Sequence, residues 1–231
     1  MDREIQQGRN VIDAAAKQLN TLDRLVLSTL SDSEKWSNGA ITHNCHYDAK
    51  ARYCDYVKTA YPDTLAKKTS YLQMGHYVSN WRMAGPLLAP QKQSDGVYAV
   101  PSMAKADGIP MPWVDPPNDT GHFVKALIEA PAGSSMLGYS EMLTGKEYVA
   151  LWGKTLGVPA HYKDVGLDAM KAADLPKFLA EEMNEMREYV SLYGFDGGDP
   201  EVKNPKELGV DVSKLTKIED WIKNEDWSSV L

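Results

Sequence analysis

Several residue types and patterns are scarce in this sequence, and each scarcity excludes something. Cysteine occurs only at Cys45 and Cys54, so no disulfide framework holds the chain and a reducing compartment is the simpler setting. No apolar run approaches the roughly 20 residues of a membrane span. The opening MDREIQQGRN is polar and lacks the basic-then-apolar layout of a signal peptide. The closing Ser229-Val230-Leu231 is no peroxisomal address. A cytoplasmic protein without membrane attachment is expected. Positive charge is also short: 25 Lys and Arg face 32 Asp and Glu, a net charge of −7, which argues against direct nucleic-acid binding.

Common catalytic signatures are missing too. There is no G-x-S-x-G elbow, and GSSMLG lacks its spacing. There is no H-E-x-x-H. His43, Cys45, His46 and Cys54 are ligand types that zinc accepts, but their spacing matches no standard zinc pattern. Asp196 and Asp199 in FDGGDP fit a helix-ending turn better than a calcium loop. No metal is expected.

What is present is an ordinary globular composition, 231 residues and 43% hydrophobic, enough for one sizeable core or a core plus a small lobe. EIQQGRNVIDAAAKQL has helical spacing despite Gly8. Leu25–Thr29 is a short buried strand running into a polar loop, SDSEKWSNG. CHYDAKARYCDYVKTAY is helical and stops before Pro62, and KKTSYLQMG is a second strand ending at Gly75. This alternation predicts a parallel α/β sheet.

The stretch GPLLAPQKQSDGVYAVPSMAKADGIPMPWVDPPND holds most of the prolines. It is expected to be loops with short strands around Val97–Val100 and Met111–Val114, the material of a substrate lobe. Asp119 is expected to cap the helix TGHFVKALIEA, and SSMLGYS to be a third buried strand. Thr144 and Glu147 form a capping box on a helix that ends at Gly157, and Thr216 and Glu219 suggest another. A longer helix after Asp174 carries Leu175, Leu179, Met183, Met186, Val190 and Tyr193 on one face.

Two groups of residues invite a functional reading. His46 and Lys50 are one helical turn apart, a spacing that suits proton handling and equally suits a solvated surface. The upstream strand brings Ser28 to the same rim, where the carboxyl ends of parallel strands bind ligands. Trp36, Tyr77, Trp81 and Trp113 fall in loops or just after strands, and either line an apolar pocket or anchor those loops.

The order EIQQGRNVIDAAAK, LVLSTL, HYDAK, YLQMGHYVSNW, DPPNDTGHFVKALIEAP, LTGKEYVALWGKTLGVP and YGFDGGDP…EDWIKNEDW resembles the NmrA-like family, atypical short-chain dehydrogenase/reductase relatives of fungal type. The resemblance covers nearly the whole chain. It implies an incomplete Rossmann-like parallel sheet flanked by helices, with a smaller C-terminal substrate lobe. Residues 1–90 would be the remaining part of the Rossmann-like domain and 91–231 the lobe, with 119–140 returning a helix and strand to the main sheet.

It further implies NADP or NAD as cofactor. Lys50 and His46 would be catalytic, with Ser28, Thr29, Lys50, Gln73, Met74, Gly75 and His76 at the cofactor. Trp36, Tyr77, Trp81 and Trp113 would then form the substrate pocket. The sequence departs from the family in two places. His46 stands where active relatives carry the tyrosine of Tyr-x-x-x-Lys, and the glycine-rich βαβ unit that cradles the cofactor's diphosphate does not precede it. A sheet that starts part-way exposes the edge of its first strand, so a protein partner, a homodimer or a longer natural chain is expected to cover it.

The leading expectation is an oxidoreductase acting on a small organic molecule, within fungal secondary metabolism. The alternative is a non-catalytic redox-sensing regulator or protein-binding module. A cofactor-independent isomerase or cyclase using His46 or His76 has no positive sign in the sequence.

Overall fold

Ile5 and Ile12 are two helical turns apart, and both are buried on one face of α1 (Asp2–Ala16) in the computed structural model, which describes residues 1–83 and 87–231. The start of the proline-rich stretch, residues 85 and 86, lies outside the described residues. The chain divides into two units. The first comprises Met1–Met74, Asp119–Gly138 and Asp196–Leu215; the second comprises Gly75–Asn118, Tyr139–Phe195 and Thr216–Leu231.

The first unit is built on a parallel sheet of β1 (Leu25–Thr29), β2 (Thr69–Met74), β7 (Ser135–Gly138) and β10 (Val202–Lys203), in that order. The register sets Thr29 beside Gln73 and Gln73 beside Leu137. Side chains alternate along β2. Tyr71 joins Leu27, Ile12, Tyr53, Cys54 and Val57 in a cluster with α1 and α3 (Cys45–Ala60). Leu72 faces α4 (Pro116–Glu129) on the other side. A Cβ on Gly138 would lie 2.8 Å from Phe123 Cδ2 and 3.1 Å from Leu72 Cδ1, so a bare backbone lets α4 settle there. Among the described residues no strand pairs with the outer side of β1.

The polar stretch expected as a loop contains a short helix, α2 (Ser33–Trp36). The cause is partly local, in Asp32, and partly tertiary, in Asp48 of α3. Asp32 Oδ1 accepts from Lys35 N, and the buried Asp48 Oδ1 accepts from Ser33 N, Ser33 Oγ and Glu34 N. The three N–H groups among those donors are ones a helix start leaves unpaired.

The second unit holds two three-stranded sheets. One is β3 (His76–Tyr77), β6 (Met111–Val114) and β8 (Glu141–Leu143); the other is β4 (Gln91–Lys92), β5 (Tyr98–Ser102) and β9 (Ala160–Asp164). Around them lie α5 (Gly145–Leu156), α6 (Leu167–Ala172), α7 (Lys177–Leu192) and α8 (Ile218–Asn224). The Thr144–Glu147 capping box is present, and Gly157 ends α5 in the left-handed conformation at φ 68°.

Three further expectations differ from the structure. Helix α4 starts at Pro116, so Asp119 lies in its first turn; proline suits a first turn because its missing N–H has no partner there anyway. Helix α8 begins after Lys217, so Thr216 and Glu219 form no box, and Ile218 N donates to Glu141 Oε2. On α7 the fully buried set is Ala180, Arg187, Tyr189, Val190 and Ser191. Leu179, Met183, Met186 and Tyr193 are half-buried, because Arg187 turns inward to pair with Asp164 and Glu188.

Candidate functional site

Lys50 and His46 project from α3 one turn apart. Lys50 Nζ forms an ion pair with Glu4 Oε1 of α1, the two side chains being 26% and 35% exposed. The His46 ring meets Tyr47 edge-on, 5.0 Å between centroids. Ser28 is exposed on β1, and its carbonyl accepts the hydroxyl of Tyr53. Burial pushes the Tyr53 phenol well above its ordinary range, with Cys54 and Glu4 adding to the rise, so it remains a donor. Burial likewise pushes the Cys54 thiol up to about 12, which leaves it inert as a nucleophile or metal ligand near neutral pH.

Thr29 and Gln73, neighbours in register, open onto a cavity of about 330 Å³ together with Trp36, Tyr71 and Lys58. Met74, the next residue of β2, is buried, and by strand alternation faces away from Gln73. His46 and Lys50 do not line this cavity. In the first unit the structure therefore brings Thr29, Trp36 and Gln73 to one space, and sets Ser28, His46 and Lys50 apart from it.

Gly75, His76, Tyr77, Trp81 and Trp113 belong to the second unit. The side chains of the last four border a cavity of only about 20 Å³ with Ser102 and Tyr148, room for about one water. Trp113 stacks on Tyr148 with centroids 4.0 Å apart and planes 7° apart. Trp81 stacks on Trp227 at 4.5 Å, and His76 meets Trp113 edge-on at 4.8 Å. Burial pushes the His76 imidazole down to about 4, so it is neutral at physiological pH. Trp81 Nε1 and Ser102 Oγ are buried without a hydrogen-bond partner.

The residues were tested against a dinucleotide through the helix amino ends, the usual seat of a diphosphate. Helix α1 carries Asp2 and Glu4 in its first turn, and α3 carries Asp48. Helix α4 starts with two prolines, which have no N–H to offer. Glu147 already closes the start of α5, Pro176 precedes α7, and Glu141 takes Ile218 N at α8. The short α2 and α6 start on Asp48 and on Asp164, which accepts from Gly166 N. Most helix amino ends among the described residues are thus met by a carboxylate or by prolines within the first turn, which disfavours a diphosphate there; α7 alone of the eight α-helices has neither, Pro176 standing just before its first turn. No group of three or more His, Cys, Asp or Glu able to hold a metal occurs among them either, and no helix there is long and apolar enough to cross a membrane.

Sequence reasoning missed Glu4, Asp48 and Tyr53. Their roles come from contacts remote in sequence. The one available signal was Gly8, a residue of low helix propensity inside a helix, which the Tyr53 ring explains by its close approach.

The family model described as "NmrA-like family" matches residues 1–224. Among solved structures the chain is similar to NmrA, a negative transcriptional regulator in complex with NADP. The identity is 18% and the TM-score 0.70, over 95% of this chain and 69% of that one. It is similar to isoflavone reductase at 16% identity and TM-score 0.65, over 94% and 70%. It is also similar to leucoanthocyanidin reductase from Vitis vinifera at 12% and 0.61, over 96% and 76%. No curated protein matches the sequence. At these identities the likeness to the solved structures shows a shared fold.

Proposed function

Since this chain belongs to the NmrA-like family, we propose that it acts as a binding protein of the regulator type, whose output is contact with a protein partner, and not as a reductase. The observation that carries this is the ion pair between Lys50 and Glu4. In Tyr-x-x-x-Lys chemistry the lysine holds a ribose and lowers the pKa of the neighbouring acid. Here its ammonium is committed to a carboxylate of α1, and the residue one turn back is His46, whose reference pKa is several units below a tyrosine's. The carboxylates and prolines at the helix amino ends point the same way.

The test is reduction of a panel of small ketones and aldehydes by the purified chain with NADPH. The expected result is no turnover, with partner binding retained in Lys50→Ala. A reductase activity that disappears in Lys50→Ala overturns the proposal.

A reductase remains the second reading, favoured by the pairing of Thr29 with Gln73 near the carboxyl ends of adjacent parallel strands, the end at which α/β sheets bind ligands. Fluorescence titration with NADPH decides how far it holds: saturable micromolar capture supports it, and no change at millimolar cofactor removes it.

A further inference from the structure

The second unit has a cavity of about 390 Å³ bordered by α8, Arg82, Asp115 and Asn118, within the range of small-molecule sites, about 300–1,000 Å³. Two of its polar side chains are held by buried carboxylates. Arg82 Nε donates to Glu225 Oε1 at 2.8 Å and Nη2 donates to both oxygens of that carboxylate, whose side chain is 3% exposed. The fork pairing fixes the plane of the guanidinium and leaves Nη1 as its uncommitted donor. Asp115, buried, accepts from Asn118 Nδ2 at 2.6 Å, which leaves Oδ1 of the exposed Asn118 to accept.

The wall supplied by α8 adds groups that nothing in the fold employs. Trp221 meets Trp227 edge-on, with centroids 6.2 Å and planes 86° apart. Its Nε1 is reachable by solvent and donates to nothing among the described residues. Asp220 and Asn224 are exposed on the same helix, and their side chains make no hydrogen bond or ion pair among the described residues.

The charges say what class of ligand such a lining takes. Glu225 neutralises Arg82, and Asp115 is withdrawn from solvent. A small anion finds no uncommitted cation there. A small cation finds one exposed carboxylate, Asp220, and a single exposed pair is worth little in water. What the cavity offers instead is uncharged donors and acceptors in alternation. Each hydroxyl of a sugar both donates and accepts, so adjacent hydroxyls match that alternation.

We propose that this cavity binds a neutral sugar ring with adjacent hydroxyls. Arg82 Nη1, Trp221 Nε1 and the Asn224 amide donate to its oxygens, and Asp220 and Asn118 Oδ1 accept from its hydroxyls. The site is independent of the choice between regulator and reductase, because Thr29, His46, Lys50 and Gln73 do not line it.

The test is titration of the full chain with the methyl glycosides of glucose, galactose and mannose, read by saturation-transfer NMR, with spermidine and glutarate as charged controls. The expected result is saturable binding of at least one glycoside, with Kd below about 10 mM, and weaker binding of both controls. Asp220→Ala and Asn224→Ala change exposed side chains that hold nothing else, so both variants should fold, and each should weaken glycoside binding at least threefold, the scale of one lost hydrogen bond. Trp221→Phe keeps a ring against Trp227 and removes Nε1, with a similar loss expected. Absence of saturable binding of all three glycosides, equal or tighter binding of spermidine or glutarate, or unchanged affinity in any of the three variants overturns the proposal.

Discussion

The first unit covers its sheet with aliphatic side chains and tyrosines, and the second fills its interior with indoles. Five of the six tryptophans, Trp81, Trp113, Trp152, Trp221 and Trp227, lie in the second unit. In the first unit three tyrosines spend their hydroxyls on specific acceptors: Tyr53 on Ser28 O, and Tyr56 and Tyr61 on Asp13 Oδ1. They leave a polar cavity of about 330 Å³ open beside them. In the second, ring on ring reduces the space among His76, Trp81, Trp113 and Tyr148 to about 20 Å³. A row of aromatics near the ends of strands is therefore no guide to a pocket by itself. What decides is whether the rings face each other or face an opening.

The largest effect that could break this comparison is at Trp152, which is fully buried against Tyr98 and Trp227. Trp152→Ala is expected to cost about 3–5 kcal/mol, read by equilibrium urea unfolding. Trp152→Phe should be far milder, since its Nε1 has no hydrogen-bond partner to lose. A loss below about 1 kcal/mol in the alanine variant would mean that the indole cluster does not carry the second unit.

His76 gives the next effect. Its pKa is about 4 in the fold against 6.5 as the ordinary value. Between those values the unfolded chain binds the proton and the folded chain does not. The contribution of the neutral imidazole to stability is complete above about pH 6.5, falls as pH drops through the window, and is lost by about pH 4. The amplitude is at most about 3 kcal/mol. Urea midpoints measured from pH 7 to pH 4 should show that slope, and His76→Phe should flatten it. An unchanged slope in the variant would assign the acid sensitivity to other groups.

Much of the fold was legible because it is written in short-range patterns. The strand Leu25–Thr29 was placed to the residue, and the capping box at Thr144 and the glycine stop at Gly157 follow from local chemistry. What was not legible depends on partners distant in sequence. The helix at Ser33–Trp36 has a local cap in Asp32, but its first two N–H groups are held by the distant Asp48. The box at Thr216 fails to form because the helix starts one residue later, with Glu141 supplying the acceptor. The candidate site shows the same limit. Spacing set Lys50 one turn from His46, but nothing in the spacing showed that Lys50 would meet Glu4, or that Trp81 and Trp113 would stack on Trp227 and Tyr148.

Gly8 tests how tightly the first unit is closed on its helical side. A Cβ there would lie 2.3 Å from Tyr53 Cδ1 and 2.8 Å from Tyr53 Cβ, at the root of a ring whose hydroxyl is tied to Ser28 O. The ring cannot swing away without losing that bond. Alanine normally gains up to about 1 kcal/mol over glycine within a helix, and overpacking costs about 1–3 kcal/mol. Gly8→Ala is therefore expected to destabilise by about 1–2 kcal/mol in urea unfolding. A stabilised variant would show that α1 has slack against α3.

The smallest effect is the most pointed for function. Lys50 and Glu4 form a partly exposed pair between α1 and α3, and pairs of that kind couple by about 0.2–1 kcal/mol. A double-mutant cycle of Lys50→Met and Glu4→Gln should return a coupling in that range. The same cycle can be read in a second channel. If the pair merely joins two helices, Glu4→Gln leaves turnover of carbonyl compounds with NADPH unchanged. If the pair withholds the lysine from a working site, Glu4→Gln frees the ammonium and turnover rises while stability barely moves. A small coupling with no gain in turnover keeps the first unit a scaffold with an open cavity, whereas a gain would place a suppressed catalytic lysine on α3.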